Sequence, residues 1–230
     1  MFEWCEIPEG DVTLTDLGGY LTSPETWTLD TFWISKYPVT NAQYVEFVRA
    51  DGYDQPQWWD EFGWSNMQSA PKKTRYWIED ALKLRNHPIV GTTWYEACAF
   101  CRWASTRTIK NIHLPTEQQW QRAAQGDNNR EYPYGNNLDQ QKSNTEVSQI
   151  QKTTPVDSYE DGVSPFGVMD MSGNVYEWCS TGWSGEAHES VAVNRVIRGG
   201  SFKSNAYFAR VNSRNFEVSF RTRPDIGFRV

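Results

Sequence analysis

The sequence predicts an α+β domain, rich in loops, with two to three short helices and short antiparallel strands. Three observations predict it. A threonine followed three positions later by Gln or Glu occurs at Thr40 and Gln43, Thr93 and Glu96, and Thr116 and Gln119, each time ahead of a run with helical spacing; this is the reciprocal capping pattern of a helix N-terminus. Short runs of β-branched and aromatic residues, broken by Gly and Pro, recur towards both ends of the chain, as short strands require. Twelve Trp among 230 residues can fill a core only where each indole N–H finds an acceptor, which an irregular interior supplies more readily than a regular helical bundle.

Length and charge bound the rest. A chain of 230 residues with no internal repeat, low-complexity tract or linker reads as one domain with a sizeable core. The net charge of −7 argues against a nucleic-acid partner, which needs a concentrated basic face. Arg198, Arg210, Arg214, Arg221, Arg223 and Arg229 do cluster near the C-terminus, and several are expected to pair with carboxylates inside the fold. No apolar run approaches the roughly 18 residues of a membrane span. Met1 to Glu6 is acidic and lacks a basic n-region, so no secretory signal is expected; a cytoplasmic location with reduced thiols follows. The four cysteines, Cys5, Cys98, Cys101 and Cys179, are too few for a disulfide scaffold.

Taken in order, Glu6 to Thr31 reads as short strands with turns at Pro8-Glu9-Gly10 and Gly18-Gly19, and Trp27 to Leu29 with Phe32 to Ser35 as a hairpin. A helix follows from Val39, capped by Thr40 and stapled by Val39 against Tyr44, ending before Gly52. Tyr53 to Pro88, with Trp58, Trp59, Trp64 and Trp77, has weak periodicity and reads as an excursion with little regular structure; an exposed apolar patch there would suit docking into a larger assembly. The second helix, capped by Thr93, carries Ala97, Cys98, Cys101 and Ala104 on a face that packs closely. Cys98 and Cys101 form a C-x-x-C pair that could be a redox pair or half a zinc site. No second pair follows, and the only histidines are His87, His113 and His188, so buried core thiols are expected. His87 and His113 sit in loops as structural hydrogen bonders. The third helix starts at Thr116. Thr153 to Asp157 then reads as a strand, and Gly173-Asn174 as a turn into another strand through Cys179.

The C-terminal segment from Arg195 to Val230 is built differently. Val196 and Ile197 lead into a Gly199-Gly200-Ser201 turn, and Gly227, Phe228 and Val230 form a closing strand. Between them, Phe202, Lys203, Ser204, Asn205, Tyr207, Phe208, Asn212, Phe216, Glu217, Phe220, Thr222 and Asp225 follow neither the helical nor the strand period, so most should face solvent or a ligand. Rings mixed with Asn, Ser and Arg are the composition of binding surfaces, with Tyr207, Phe208, Phe216 and Phe220 as the expected hot spots. The other reading makes these rings ordinary core, although in a strand the adjacent Tyr207 and Phe208 cannot both point inward.

The runs Tyr37-Pro38-Val39-Thr40-Asn41, His87-Pro88-Ile89-Val90-Gly91, Trp94-Tyr95-Glu96-Ala97, Leu114-Pro115-Thr116-Glu117, Gly173-Asn174-Val175-Tyr176-Glu177-Trp178, Arg198-Gly199-Gly200-Ser201 and Gly227-Phe228-Arg229 together resemble the formylglycine-generating enzymes, or sulfatase-modifying factors. The resemblance implies a C-type-lectin-like fold and bound structural calcium. By it, Asn144 with Thr145 and Asp157 with Tyr159 would supply one oxygen site, and Asn174 with Glu177 a second; otherwise Asn174 is a turn residue and Glu177 the partner of a buried Arg. The oxidases of that family hold copper with two C-terminal cysteines, since sulfur suits Cu(I). Here no cysteine follows Cys179, and the matching stretch, Asn205 to Asn215, has Ala206, Ala209 and Val211 but no thiol. Neither a copper nor an iron site is therefore expected. The segment is most similar to non-catalytic members and to the variable proteins of diversity-generating retroelements, in which a Gly-Gly-Ser turn and a Gly-Phe-Arg frame a displayed segment. There, Ala206, Ala209, Arg210, Ser213, Arg214, Arg221 and Arg223 would be framework. The function implied is a non-catalytic protein that recognises a protein or other ligand through its C-terminal surface; the alternatives are an oxidase using Cys101 or Cys179, or an accessory subunit.

Overall fold

The three threonine caps each start a helix. In the computed structural model, which describes residues 2–69, 75–108, 110–184 and 194–230, Thr40, Thr93 and Thr116 precede α1 (Asn41–Arg49), α4 (Trp94–Thr106) and α5 (Glu117–Gln125), and all three capping boxes are closed in both directions. At α5, for example, Gln119 N–H donates to Thr116 Oγ1 at 3.1 Å and Thr116 N–H to Gln119 Oε1 at 2.9 Å.

Two further helices, α2 (Glu61–Ser69) and α3 (Arg75–Lys83), occupy the stretch expected to be irregular. Asp60 opens α2 by accepting the Gly63 N–H at 2.5 Å, a capping role for an aspartate. Trp59 is buried and donates its indole N–H to Gly52 O at 2.9 Å, whereas the side chain of Trp77 lies outside the described residues, as does His188.

The strands pair differently from the expected hairpin. β1 (Trp4–Ile7) is antiparallel to β4 (Phe32–Ser35), and β2 (Gly10–Leu14) is antiparallel to β3 (Glu25–Leu29). The stretches around Trp27 and Trp33 are thus neighbours in sequence but belong to separate ribbons. A four-stranded sheet follows, ordered β7-β6-β5-β8, from β5 (Tyr176–Gly182), β6 (Asn194–Arg198), β7 (Asn215–Val218) and β8 (Ile226–Gly227). Its closing strand is parallel to β5, a departure from the antiparallel expectation, and Phe228 and Val230 lie beyond the ladder. No strand forms at Thr153 to Asp157; Val156 N–H donates instead to Asn86 O in a loop contact.

Two cores result. One gathers Tyr44, Phe47, Phe100, Trp94, Trp178 and Phe228 between α1, α4 and the sheet; the other places Trp120, Ala123 and Ala124 of α5 against Ile7, Ile34, Cys179 and Val196. Cys98, Cys101 and Cys179 are buried cysteines within them, and burial pushes Cys101 and Cys179 well up from the ordinary thiol range. Arg229 ties the last turn down. Its Nε and Nη2 meet the buried Glu177 carboxylate at 2.6 and 2.7 Å, while Nη1 and Nη2 reach the carbonyls of Ser35 and Met169 at 3.0 and 2.7 Å. Removing one partner of such a pair strands the other charge in the interior. Glu177→Gln is therefore expected to lower the unfolding free energy by about 3–5 kcal/mol in urea titrations; a loss below about 1 kcal/mol, the worth of an exposed pair, would contradict that.

Candidate ligand-binding surface

Leaving β6, the chain turns through Gly199 and Gly200 at φ of 90° and 73°. A Cβ on Gly199 would come within 2.9 Å of the Trp120 ring, and one on Gly200 within 2.9 Å of Phe208 O, so both the positive φ and the close approach require glycine. Ser201 and Ser204 close the next turn. Ser201 N–H donates to Ser204 Oγ at 2.9 Å, and Ser201 Oγ donates to Asp225 Oδ2 at 3.1 Å. Phe202, Ser204 and Asp225 are consequently buried, which corrects their expected display: they hold the loop against the domain, a long-range role with no sequence period.

The end of that loop is fixed by charge. Arg214 donates to the fully buried Glu117 carboxylate through Nε at 2.9 Å and Nη2 at 3.0 Å, and Arg198 Nη1 reaches the same carboxylate at 3.4 Å. Arg198 also donates to Gln121 Oε1 at 2.5 Å and Val211 O at 2.8 Å. Burial lowers the Arg198 pKa while Glu117 opposes the shift. The Tyr20 hydroxyl donates to Glu117 as well, and burial, then that carboxylate, pushes Tyr20 up. Several C-terminal arginines thus pair inside the fold; Arg223 likewise bridges Asp225 at 2.8 Å and Glu217 at 3.3 Å.

On this base Tyr207, Phe216 and Phe220 are 46%, 41% and 49% exposed. Lys203, Asn205 and Thr222 are exposed too, while Phe208, Asn212 and Glu217 are half-buried, and Phe208 packs on the larger core. Of the expected framework, Ala209, Ser213 and Arg214 are buried, whereas Ala206 and Arg221 are exposed. Arg210 stacks 4.2 Å from the Tyr207 ring centroid, and Phe216 leans on Trp183 at 4.9 Å. Phe220 follows Ser219, whose carbonyl accepts the Trp94 N–H at the start of α4.

The opposite wall has no signature in the sequence. Asp16 accepts the Tyr207 hydroxyl at 3.2 Å and the Arg214 N–H at 2.9 Å, and Thr15 Oγ1 accepts from Asn212 at 3.4 Å. A separation of 198 positions between Asp16 and Arg214 leaves no local signal; Gly18-Gly19 marks only the turn that brings the loop there.

The expected calcium residues fall into three settings. Asn144 and Asn174 are buried in one amide cluster: Asn144 Nδ2 faces Asn174 Oδ1 at 3.4 Å, and Asn174 Nδ2 donates to Asp170 at 2.8 Å. Burial pushes the Asp170 carboxyl up to about 7. Asn144 Oδ1 accepts from Ser148, and the Thr145 hydroxyl is buried without a partner. Asp157 is exposed and accepts from Asn86 at 2.9 Å, and Tyr159 is half-buried. The first set, all hard oxygens with one orphaned hydroxyl, fits a Ca²⁺ ion in kind. The second set does not, because Arg229 and the Trp120 indole occupy both Glu177 oxygens. Asn174 has a φ of 59°, the turn geometry open to it. Among the described residues, no three His, Cys, Asp or Glu side chains form a group that could hold a metal, and no helix is long and apolar enough to cross a membrane. His87 Nδ1 lies 2.9 Å from Thr153 Oγ1.

Comparison with known proteins agrees with this architecture. The chain is 36% identical over 191 residues to the serine/threonine-protein kinase Pkn1 of Chlamydia trachomatis, covering 77% of this chain and 29% of that one. It is 29% identical to hercynine oxygenase of Mycolicibacterium smegmatis, over 88% of this chain and 53% of that one, and 29% identical to the formylglycine-generating enzyme of Mus musculus, over 88% and 66%. It therefore spans under a third to about two thirds of the length of these relatives. In fold it is similar to Treponema denticola variable protein 1, with a TM-score of 0.72 and 19% identity over 99% of this chain and 94% of that one. PvdO of Pseudomonas aeruginosa gives 0.75 and 21% over 98% and 92%. The mixed α+β, C-type-lectin-like architecture is that of these neighbours. Residues 3–230 match the family model described as the sulfatase-modifying factor enzyme 1-like domain, and the chain belongs to that family.

Proposed function

We propose that this domain is a non-catalytic binding module that recognises a protein ligand through the surface of Tyr207, Phe216 and Phe220, with Phe208 and the Asp16 loop supporting it. The observation that carries the reading is three rings between 41% and 49% exposed on a segment whose backbone is held by the buried Arg214 and Glu117 pair. Rigid rings on a fixed loop lose little entropy on binding, so their contact area converts efficiently into affinity. The likeness in fold to a variable protein supports a scaffold able to present such a loop.

The names of two relatives, an oxygenase and a formylglycine-generating enzyme, favour a second, enzymatic reading. Against it, no cysteine follows Cys179 in this chain, and three of the four thiols are buried within the two cores. Titration with Cu(I) and oxygen uptake with a cysteine-containing peptide separate the two. Neither stoichiometric copper binding nor uptake above buffer is expected, and either one would move the assignment to an oxidase.

The surface itself is tested by immobilising the wild type and a Phe216→Ala, Phe220→Ala variant and quantifying the proteins each captures from an extract of the source cells. Aromatic hot spots are worth about 2 kcal/mol or more each, so captured partners should fall at least roughly 100-fold with the melting temperature nearly unchanged. Equal capture by both baits would remove the proposal. Calcium at Asn144, Thr145, Asp157 and Tyr159 would be structural, pinning loops that no ladder holds. Added Ca²⁺ is expected to raise the melting temperature by about 2–4 °C, and superimposable curves in Ca²⁺ and in chelator would eliminate that site.

A further inference from the structure

A second concavity lies between the β1 and β4 ribbon and the chain entering α5, made of residues the C-terminal surface does not use. It is a half-open hollow of about 280 Å³, close to the lower end of small-ligand pockets, roughly 300 Å³. Trp4, Phe32 and Trp33 line one side, and Lys110, His113 and Gln119 the other. Trp33 is 52% exposed and belongs to neither core, so its ring is not placed there by packing alone.

The polar groups around the rings face the opening and have few partners among the described residues. Lys110 Nζ stands 5.6 Å from the Trp4 ring centroid and 5.7 Å from that of Trp33, so one ammonium caps two indoles. No carboxylate of a described residue pairs with it. His113 Nδ1 lies 3.0 Å from Leu114 O; a carbonyl can only accept, so Nδ1 carries the hydrogen and Nε2 is left without a protein partner. Neither the Trp4 nor the Trp33 indole N–H donates to a described protein group. The site therefore offers flat apolar walls, an ammonium over them that no described carboxylate neutralises, and two indole N–H donors, while His113 Nε2, bare in this tautomer, adds an acceptor.

We propose that this cleft binds a small planar aromatic acid, its ring against the Trp4 and Trp33 indoles and its carboxylate on the Lys110 ammonium. The volume admits one or two fused rings with a short acidic arm. The inference stands apart from the C-terminal recognition surface, since the two share no residue.

Indole-3-acetate serves as the probe, titrated into the whole chain and followed by saturation-transfer NMR and calorimetry. Saturation transfer to the indole protons is expected. Lys110→Met should weaken binding roughly fivefold, the worth of an exposed ion pair, and indole-3-acetamide should lose the same factor on the wild type. Trp33→Ala should weaken it roughly tenfold or more, and Trp33→Phe should retain most of the affinity. Tyr207→Ala should leave it unchanged. Lys110 and Trp33 are both exposed, so these variants keep the fold, which circular dichroism checks. No transfer to the acid at millimolar concentration, equal affinity for acid and amide, or wild-type affinity in both Lys110→Met and Trp33→Ala would each overturn the proposal.

Discussion

The Glu117 carboxylate, from which water is wholly shut out, receives two arginines that lie on either side of the C-terminal loop. Arg198 ends β6 and Arg214 immediately precedes β7, so the loop between them is anchored at both ends to the first residue of α5. Burying three charges costs several kcal/mol per ion before any attraction is counted. The geometry offsets this with a two-point Arg214 contact and with backbone or amide acceptors at Gly18 O, Val211 O and Gln121, while Arg198 Nε is buried without a partner. A paired charge tolerates few alternatives, because any slip of the loop would strand one of the ions. What the cluster contributes above all is one conformation for a segment that has almost no ladder of its own.

The same helix serves the second buried pair. Trp120, three residues after Glu117, donates its indole N–H to Glu177 Oε2 at 2.6 Å and carries Arg198 over its face at 5.4 Å. Through one ring the Glu177 and Arg229 pair, which closes the chain, is coupled to the Glu117 cluster, which fixes the loop. The other buried indoles follow the same logic, donating to Cys179 O from Trp94 and to Thr92 O from Trp178 at 2.9 and 3.0 Å. Irregular backbone leaves carbonyls free of ladders, and these accept the indole hydrogens that a regular interior would leave unpaired.

How much of this was legible in the chain depended on the range of the interaction. The three threonine caps are complete within four residues, and all three were readable. Asp60 at the head of α2 carries a signal of the same kind, but the surrounding Trp and turn residues obscure it and give the stretch an irregular pattern. Strand partners were not legible: Phe32 to Ser35 pairs with the chain start because both ribbons are arranged by α5 and the second core, not by their own turn. Within the C-terminal segment, the lack of period correctly marked Tyr207, Phe216 and Phe220 as exposed. It also wrongly marked Phe202, Ser204 and Asp225, since a loop folded back on its domain buries residues in an order set by tertiary contacts. Asp16 and Trp183 could not be found at all without the fold.

This division between inner and outer residues has a consequence for recognition. The groups that fix the loop, Gly199, Gly200, Ser201, Arg214 and their partners, are buried and mutually dependent, whereas the exposed rings make few contacts that the framework needs. Exchanging a surface side chain of that kind usually shifts stability by no more than about 0.5 kcal/mol, while an interfacial aromatic can carry about 2 kcal/mol or more of binding. Affinity can therefore change at Phe216 or Phe220 with little penalty to folding. Tyr207 is less independent, because its hydroxyl shares Asp16 with the Arg214 backbone, so a change there alters both the presented surface and one of the bonds that holds it.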